Sequence, residues 1–102
     1  MEALGKFKTE KVADAVAPRL SNQQDRFKAS QVLATMGPAA EPAVLKFAED
    51  KEWMVRSEVC KILKSIGTAK SVPALTAMQN NDPQGIVKLQ AKQALDAING
   101  RK

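Results

Sequence analysis

The residues Glu49, Asp50 and Glu52 form the only acidic cluster of the sequence. Such a cluster could supply a carboxylate pair for acid–base chemistry or a weak cation site. The sequence contains no histidine, which removes Ser-His-Asp and Cys-His catalysis and every histidine-based metal site. The glycines stand singly, so there is no glycine-rich phosphate loop. A polar turn between two helices is therefore the favoured interpretation of the cluster.

The single cysteine, Cys60, is the other candidate for chemistry. Arg56 and Lys64 lie four residues away on either side and could lower the pKa of its thiol. The alternative is an inert, half-buried thiol, which the helical pattern around it favours. One cysteine can form neither an internal disulfide nor a Cys₄ zinc site, so we expect no metal and no cofactor. The sequence does not specify the compartment, and the lack of a disulfide favours the cytoplasm.

Charge is distributed unevenly along the 102 residues, whose net charge is +5. Residues 1–52 hold eight basic and eight acidic groups, whereas residues 53–102 hold eight basic and three acidic groups. A basic half can face nucleic acid, an anionic lipid or an acidic protein, or it can be a solvated surface. No apolar run approaches the ~18–20 residues of a membrane span, and the first residues show no signal-peptide core.

An internal repeat organises the elements that would position these side chains. Gly37 and Gly67 are 30 positions apart and Pro42 and Pro73 are 31 apart, and residues 53–66 match residues 85–98 at an offset of 32. A period of this length matches a helix-turn-helix unit. The apolar positions recur at helical spacing, which predicts six helices joined by short connections. The predicted ranges are 8–20, 25–36, 40–49, 53–66, 71–80 and 84–98.

Glycine and proline mark the ends of these helices. Gly37 and Gly67 follow the last apolar residue of a helix, where a left-handed C-cap residue belongs. Pro42 and Pro73 fall in the first turn of the second helix of a unit, where a missing N–H costs little. Asp82 precedes Pro83 and is predicted to be the N-cap of the last helix.

These features resemble HEAT repeats, in particular the short variety named after phycobilisome lyases. The matching pieces are Val55-Arg56 before Ile66-Gly67, the segment 72–75 after them, and Asp82 before the next helix. The resemblance covers residues 10–99 and implies an all-α, armadillo-like superhelix, a solenoid of about three helical hairpins. The whole chain is then one domain, a fragment of a longer array, with units at 8–22 (partial), 23–50, 51–82 and 83–102 (partial).

The resemblance also implies a structural ladder between repeats. In this family an aspartate in the turn between repeats bonds a basic residue early in the next helix. The spacing here fits Asp50 with Arg56 and Asp82 with Lys88, each pair six residues apart. Arg26 is the equivalent basic residue of the first unit, but position 20 is leucine, and Asn22 could replace the missing aspartate.

The favoured function is a non-catalytic scaffold that binds a protein partner, which the sequence does not identify. In stacked hairpins the second helices line the inner face. That face is predicted to carry Lys8, Lys11, Asp14, Lys46, Glu49, Thr76 and Gln79. The alternative is binding of a DNA backbone through the basic second half, although no aromatic residues are interleaved for base stacking. An enzyme accessory and a purely structural spacer are further hypotheses.

Two large apolar residues, Trp53 and Leu89, are candidates for contacts at the surface. Trp53 begins a helix and could be an anchor for a partner or a plug that packs between repeats, of which packing is favoured. Leu89 falls opposite the core side of its helix, which suits a protein or lipid contact or a missing neighbour. Uncapped ends of the stack could also associate with each other.

Overall fold

The computed structural model describes residues 11–100 of the chain. Every regular element in this range is helical, and the all-α repeat fold predicted from the sequence is confirmed. The first helix, α1, is described at residues 11–16. The others are α2 (Arg26–Met36), α3 (Glu41–Leu45), α4 (Trp53–Ile66), α5 (Val72–Asn81) and α6 (Gly85–Gly100), with 3₁₀ turns at Ala17–Ser21, Gly37–Ala40 and Ala69–Ser71.

The helices form two layers in a slab whose Cα atoms span 42 × 34 × 16 Å. The first-helix layer contains α2, α4 and α6, with α4 packed against both of the others. The second-helix layer contains α1, α3 and α5. Helix α3 packs on α4 and α5 packs on α6, so each second helix lies against the first helix of the following unit. The units therefore bury their apolar faces against their neighbours, as repeat proteins do.

Helix α4 shows why the sequence folds in this way. Val55, Val59, Ile62 and Ile66 recur three or four positions apart and are all buried. Their side chains fill the space between the two layers, and alanines at many of the facing positions let the backbones approach closely. The sequence predicted this helix at 53–66, and those are its bounds in the structure.

Two predicted helices are shorter than expected. The first was predicted to continue to residue 20, but it changes to a 3₁₀ turn at Ala17 because Pro18 has no N–H to donate to an α-helical bond. The third was predicted to end at residue 49, but α3 ends at Leu45. After it, Phe47 and Ala48 donate their N–H groups to carbonyls only three residues back, at 3.0 and 3.1 Å.

The two glycines predicted to be left-handed caps differ from each other. Gly37 caps α2 with φ +77° and ψ −162°, a conformation that is essentially restricted to glycine. Gly67 is the C-cap of α4, as predicted, but its φ of −65° and ψ of 149° are extended and not left-handed. Gly67 is needed for space instead: a Cβ atom there would lie 2.5 Å from the carbonyl oxygen of Leu63 and 2.9 Å from Cδ1 of Ile98.

Replacing Gly67 by alanine is expected to lower the free energy of unfolding by about 1–3 kcal/mol through overpacking. The closest contact is to backbone, so adding Ile98→Val to Gly67→Ala should recover only part of the loss. Chemical denaturation followed by circular dichroism measures both. Gly85→Ala is the matched control, because a Cβ there meets nothing within 4 Å and alanine favours the helix. Equal stability of the Gly67 and Gly85 variants would contradict the packing explanation.

Candidate functional site: a groove beside an arginine ladder

Arg56 ties two turns between repeats together. Its Nη1 donates to the carbonyl oxygen of Asp50 at 2.7 Å. Its Nε donates to Oδ2 of Asp82 at 2.6 Å, and its Nη2 donates to Oδ1 of the same carboxylate at 3.2 Å. Both side chains are nearly enclosed, with 12% of Arg56 and 4% of Asp82 exposed. This two-pronged bond holds the turn before α4 against the turn before α6.

Arg26 repeats this arrangement one unit earlier. Its Nε donates to the carbonyl oxygen of Leu20 at 2.8 Å, and its Nη2 donates to Oε2 of Glu52 at 3.2 Å. In both units the arginine bonds a carbonyl six residues before it and a carboxylate 26 residues after it. The leucine at position 20 therefore leaves the rung intact, since only the backbone at that position is used.

The predicted partners within the ladder need correction. Asp50 contacts Arg56 through its carbonyl oxygen, while its carboxylate accepts the N–H of Glu52 at 2.9 Å. Asp82 was predicted to bond Lys88, but its carboxylate is occupied by Arg56, 26 residues before it. The six-residue spacing holds for the backbone carbonyl because the turn fixes that atom, whereas the carboxylate binds the arginine near the start of α4.

The side chains of Asn22, Asp50 and Asp82 close the three turns between repeats. Each one accepts the N–H of the residue two positions later, at 2.8, 2.9 and 2.9 Å. This side-chain-to-backbone bond is the usual reason for Asn and Asp in turns. Asp82 was predicted to be the N-cap of α6, but it lies outside the helix, which begins at Gly85.

The pKa of Asp82 is lowered despite its burial. Burial alone would raise the pKa, since it disfavours the charged carboxylate. The hydrogen bonds from Arg56 and from the N–H of Gln84, together with the positive charges of Arg56 and Lys88, more than offset that effect. Lys88 thus acts on Asp82 through its charge, and the carboxylate is ionised at neutral pH.

A groove of about 410 Å³ lies beside this ladder in the second-helix layer. One wall is the end of α3 with the turn after it, and the other wall is α5. We call it the second-helix groove. Its lining residues are Leu45, Lys46, Ala48, Glu49, Arg56, Ala74, Ala77, Met78, Asn81, Asp82 and Pro83.

The residues predicted for the inner face do not all meet at this groove. Lys46 and Glu49 line it, and Lys46 pairs with Asp14 of α1 at 3.5 Å across the layer. Thr76 and Gln79 are rotated around α5 by about 100–160° from Ala77 and Asn81, and neither lines the groove. Lys11 is exposed on α1, one turn before Asp14, and Lys8 lies outside the described residues.

Glu41 is a buried site that the sequence interpretation missed. This carboxylate, 2% exposed, accepts the backbone N–H of Thr68 at 2.7 Å and the hydroxyl of Thr68 at 2.8 Å. It also accepts the hydroxyl of Ser71. Glu41 and Ser71 are 30 residues apart, at the same point of neighbouring units. A lone charge inside the apolar segment 38–45 was the signal that could have revealed it.

The two sequence candidates for chemistry, Cys60 and the acidic cluster at residues 49–52, have structural roles. Burial, and then the charge of Asp82, raise the pKa of Cys60 to about 12 although Arg56 opposes them, so the thiol is protonated and unreactive. In the acidic cluster Asp50 closes a turn and Glu52 pairs with Arg26. Within residues 11–100, no group of three potential ligands is arranged to hold a metal ion. No helix in that range is long and apolar enough to cross a membrane.

The repeated pairs, the ladder and the turns define the class of this protein as a helical-repeat protein. The family model for HEAT repeats matches residues 19–96, which is most of the chain. The chain therefore belongs to the HEAT repeat family. Members of this family generally mediate protein–protein interaction and are typically non-enzymatic. No match was found among curated proteins or among solved structures.

Proposed function

We propose that this protein is a non-catalytic scaffold whose second-helix groove binds an extended segment of a protein partner. The observation that carries the proposal is the groove itself, a cleft between the second helices of two successive units. Its volume falls within the roughly 300–1,000 Å³ of ligand pockets in proteins. The family supports a protein partner as the general class of ligand.

The chemistry of the groove suits a peptide. Ala48, Ala74 and Ala77 leave room between the walls, and the buried Met78 supplies a deformable apolar lining. Lys46 and Glu49 present opposite charges, which suit a segment of mixed charge. A small set of polar groups around an apolar floor is typical of binding clefts, because the floor provides affinity and the polar groups provide specificity.

The ladder gives this groove a fixed shape. Arg56 and Asp82 line the groove, and the bond between them joins the turns that carry α4 and α6. A wall held by buried, charge-assisted bonds loses little freedom when a ligand binds, which favours affinity. The same bonds occupy the charges of Arg56 and Asp82, so neither is offered to a partner.

A peptide selection tests the proposal. A random peptide library displayed on phage would be selected against the whole chain, and the recovered peptides measured by fluorescence anisotropy. Ala77→Trp fills the groove and is expected to weaken binding at least ~10-fold, which corresponds to about 1.4 kcal/mol. Thr76→Trp, on the neighbouring exposed position facing away from the groove, is the matched control. Equal binding by both variants would place the site elsewhere.

Binding of DNA through the basic second half stays an alternative prediction. Two of the cations on which it depends are engaged within the protein, since Arg56 pairs with Asp82 and Lys61 with Glu58. Retardation of a labelled DNA duplex at low salt that vanishes at moderate salt would support it.

A further inference from the structure

The outer surface of the first-helix layer carries exposed apolar side chains that the proposed function does not use. Seven large apolar side chains are exposed among the described residues, and five of them lie in the N-terminal halves of α2, α4 and α6. We call these five the first-helix patch: Phe27, Trp53, Met54, Ile86 and Leu89. Phe27 is 68% exposed and Leu89 is 51% exposed, so these side chains protrude into the solvent. Large apolar side chains grouped on one surface indicate an interaction site.

The patch occupies the ends of the first helices that follow the turns between repeats. Phe27, Trp53 and Met54 border a cleft of about 180 Å³ between α2 and α4. On α6, Ile86 is the repeat equivalent of Met54, 32 residues later, and Leu89 lies three residues after Ile86 on the same face. This cleft shares no lining residue with the second-helix groove, which lies in the other layer.

The layer that carries the patch also carries the positive charge of the protein. Helices α2, α4 and α6 contain seven lysines and arginines against two acidic residues, an excess of five that equals the net charge of the chain. The second helices α1, α3 and α5, as far as the structure describes them, contain one basic and two acidic residues. The two layers therefore differ in charge, and an anionic partner is attracted to the first-helix layer.

Three exposed lysines lie beside the most exposed members of the patch. Lys28 follows Phe27 on α2, while Lys88 precedes Leu89 on α6 and Lys92 lies one turn beyond it. None of the three makes an ion pair within residues 11–100. Their charges are therefore available to a partner that contacts the patch.

The remaining charges near the patch do not cancel these lysines. Glu52 pairs with Arg26, and Glu58 pairs with Lys61, each at 3.2 Å. The charge of Lys88 acts on Asp82, but Arg56 already binds that carboxylate. Asp96, one turn after Lys92, is the single acidic residue of the three helices that makes no ion pair among the described residues. One such carboxylate beside three such lysines leaves this surface positive.

Protruding apolar side chains among available lysines suit the surface of an anionic lipid bilayer. Apolar side chains enter the boundary between headgroups and acyl chains, lysines contact the anionic headgroups, and tryptophan is enriched at this depth. A bilayer deforms around a protruding side chain, whereas a protein partner needs a complementary groove. The cleft of about 180 Å³ is smaller than the roughly 300–1,000 Å³ of binding pockets. Nucleic acid would use the lysines alone and leave the apolar side chains in water.

We infer that the first-helix patch binds the surface of an anionic lipid bilayer. Phe27, Trp53 and Leu89 enter the headgroup region, and the lysines beside them contact the headgroups. The second-helix groove lies in the other layer, so a bilayer on the patch leaves the groove open. If the groove binds a partner segment, which rests on the function proposed above, the protein holds that partner at the bilayer surface.

Flotation of the whole chain with vesicles tests the inference. Vesicles of phosphatidylcholine alone are compared with vesicles that also contain about 30% phosphatidylserine, and the chain is expected to float with the anionic vesicles. Trp53 is the only tryptophan, so it reports on the patch directly. Its fluorescence should shift to shorter wavelength with the anionic vesicles and be quenched by lipids that carry bromine on their acyl chains.

Variants separate the apolar contribution from the charge contribution. Phe27→Ser combined with Leu89→Ser keeps every charge and should weaken binding to the anionic vesicles at least ~10-fold. Lys28→Gln should weaken it about fivefold. The matched controls are Val12→Ser, an exposed apolar position on α1, and Lys70→Gln, an exposed lysine beyond the far end of α4. Each control should change binding by less than about twofold. Circular dichroism checks that every variant is folded.

Three results would overturn the inference. The first is a chain that does not float with the anionic vesicles. The second is flotation that brominated lipids do not report at Trp53, or that the paired serine variant retains in full, since either result means adsorption by charge alone. The third is binding of soluble poly-glutamate as tight as binding of the vesicles, with the same shift in Trp53 fluorescence. That result would assign the patch to an acidic protein instead.

Discussion

Replacing Arg56 by methionine is expected to lower the free energy of unfolding by about 3–5 kcal/mol, the range measured when one partner of a buried ion pair is removed. Methionine keeps most of the apolar stem but none of the donors. The carboxylate of Asp82 would stay buried without its cation, and the carbonyl of Asp50 would lose its bond. For a domain of this size a loss of that magnitude lowers Tm by more than about 10 °C.

Arg19→Met is the matched control, since it makes the same substitution in an exposed pair. Arg19 and Asp25 are 64% and 40% exposed, and a pair of this kind contributes about 0–1 kcal/mol. Adding Asp82→Asn to Arg56→Met should restore part of the stability, because the buried negative charge is removed while an oxygen remains for Gln84. Similar losses in Arg56→Met and Arg19→Met would show that the ladder is not a main source of stability.

Lowering the pH should narrow the difference in the free energy of unfolding between the wild type and Arg56→Met. In the wild type, the lowered pKa of Asp82 contributes stability that is present above the unfolded value, about 3.9, and is lost as pH falls through the folded pKa. In Arg56→Met the main cause of that lowering is gone, and burial then favours the protonated acid. The wild type should therefore lose more stability than the variant between about pH 5 and pH 2. Parallel losses would contradict this assignment.

The fold was largely predictable because its signal is redundant. Val55, Val59, Ile62 and Ile66 define one face of α4 by spacing alone, and α6 repeats the pattern 32 residues later. Helix ends were less predictable. The end of α3 at Leu45 depends on a change from hydrogen bonds that span four residues to hydrogen bonds that span three. The spacing of hydrophobic residues does not reveal this change. Gly67 was recognised as a helix end, but its reason, the contact with Ile98, lies in another unit.

The ladder and the groove were predictable only in part, because they too depend on contacts between residues that are distant in sequence. The resemblance to HEAT repeats implied that Arg56 reaches back to Asp50, and it does so at the carbonyl oxygen. The carboxylate that Arg56 binds belongs to a turn 26 residues later. Whether this carboxylate meets Arg56 or Lys88 depends on how the helices stack, which sequence spacing does not specify. Of the residues predicted for the inner face, Lys46 and Glu49 line the groove, whereas Thr76 and Gln79 do not. A short helix with mixed polar and apolar residues does not reveal which of its faces is turned toward the neighbouring helices.

The structure holds neighbouring units together at both ends of their helices. At the turns between units, Arg26 and Arg56 join successive turns through buried guanidinium groups. At the turns within units, the carboxylate of Glu41 joins the start of α3 to the start of α5 through Thr68 and Ser71. The two sets of bonds restrain rotation between units, which apolar packing alone permits. The width of the second-helix groove depends on that rotation, because α3 and α5 form its walls.

The second large effect is expected at Glu41, where alanine should lower the free energy of unfolding by about 2–4 kcal/mol. The substitution leaves the N–H and hydroxyl of Thr68 and the hydroxyl of Ser71 without their acceptor, and each unsatisfied buried group costs about 1–3 kcal/mol, partly relieved by relaxation. Glu41→Gln keeps one oxygen but turns an amide donor toward a donor, so an intermediate loss is expected. Glu49→Ala, an exposed glutamate close by, should change stability by less than about 0.5 kcal/mol.

Because Glu41 joins the two walls of the groove, its replacement should also weaken the binding of peptides. In Glu41→Ala, peptides selected on the wild type should bind more weakly even at temperatures where the variant is fully folded, since the unconstrained walls must be ordered by the ligand. In Arg19→Met, which breaks a pair that does not line the groove, their affinity should be unchanged. Full affinity in folded Glu41→Ala would mean that apolar packing alone sets the spacing of α3 and α5, and that the buried carboxylate serves stability without shaping the site.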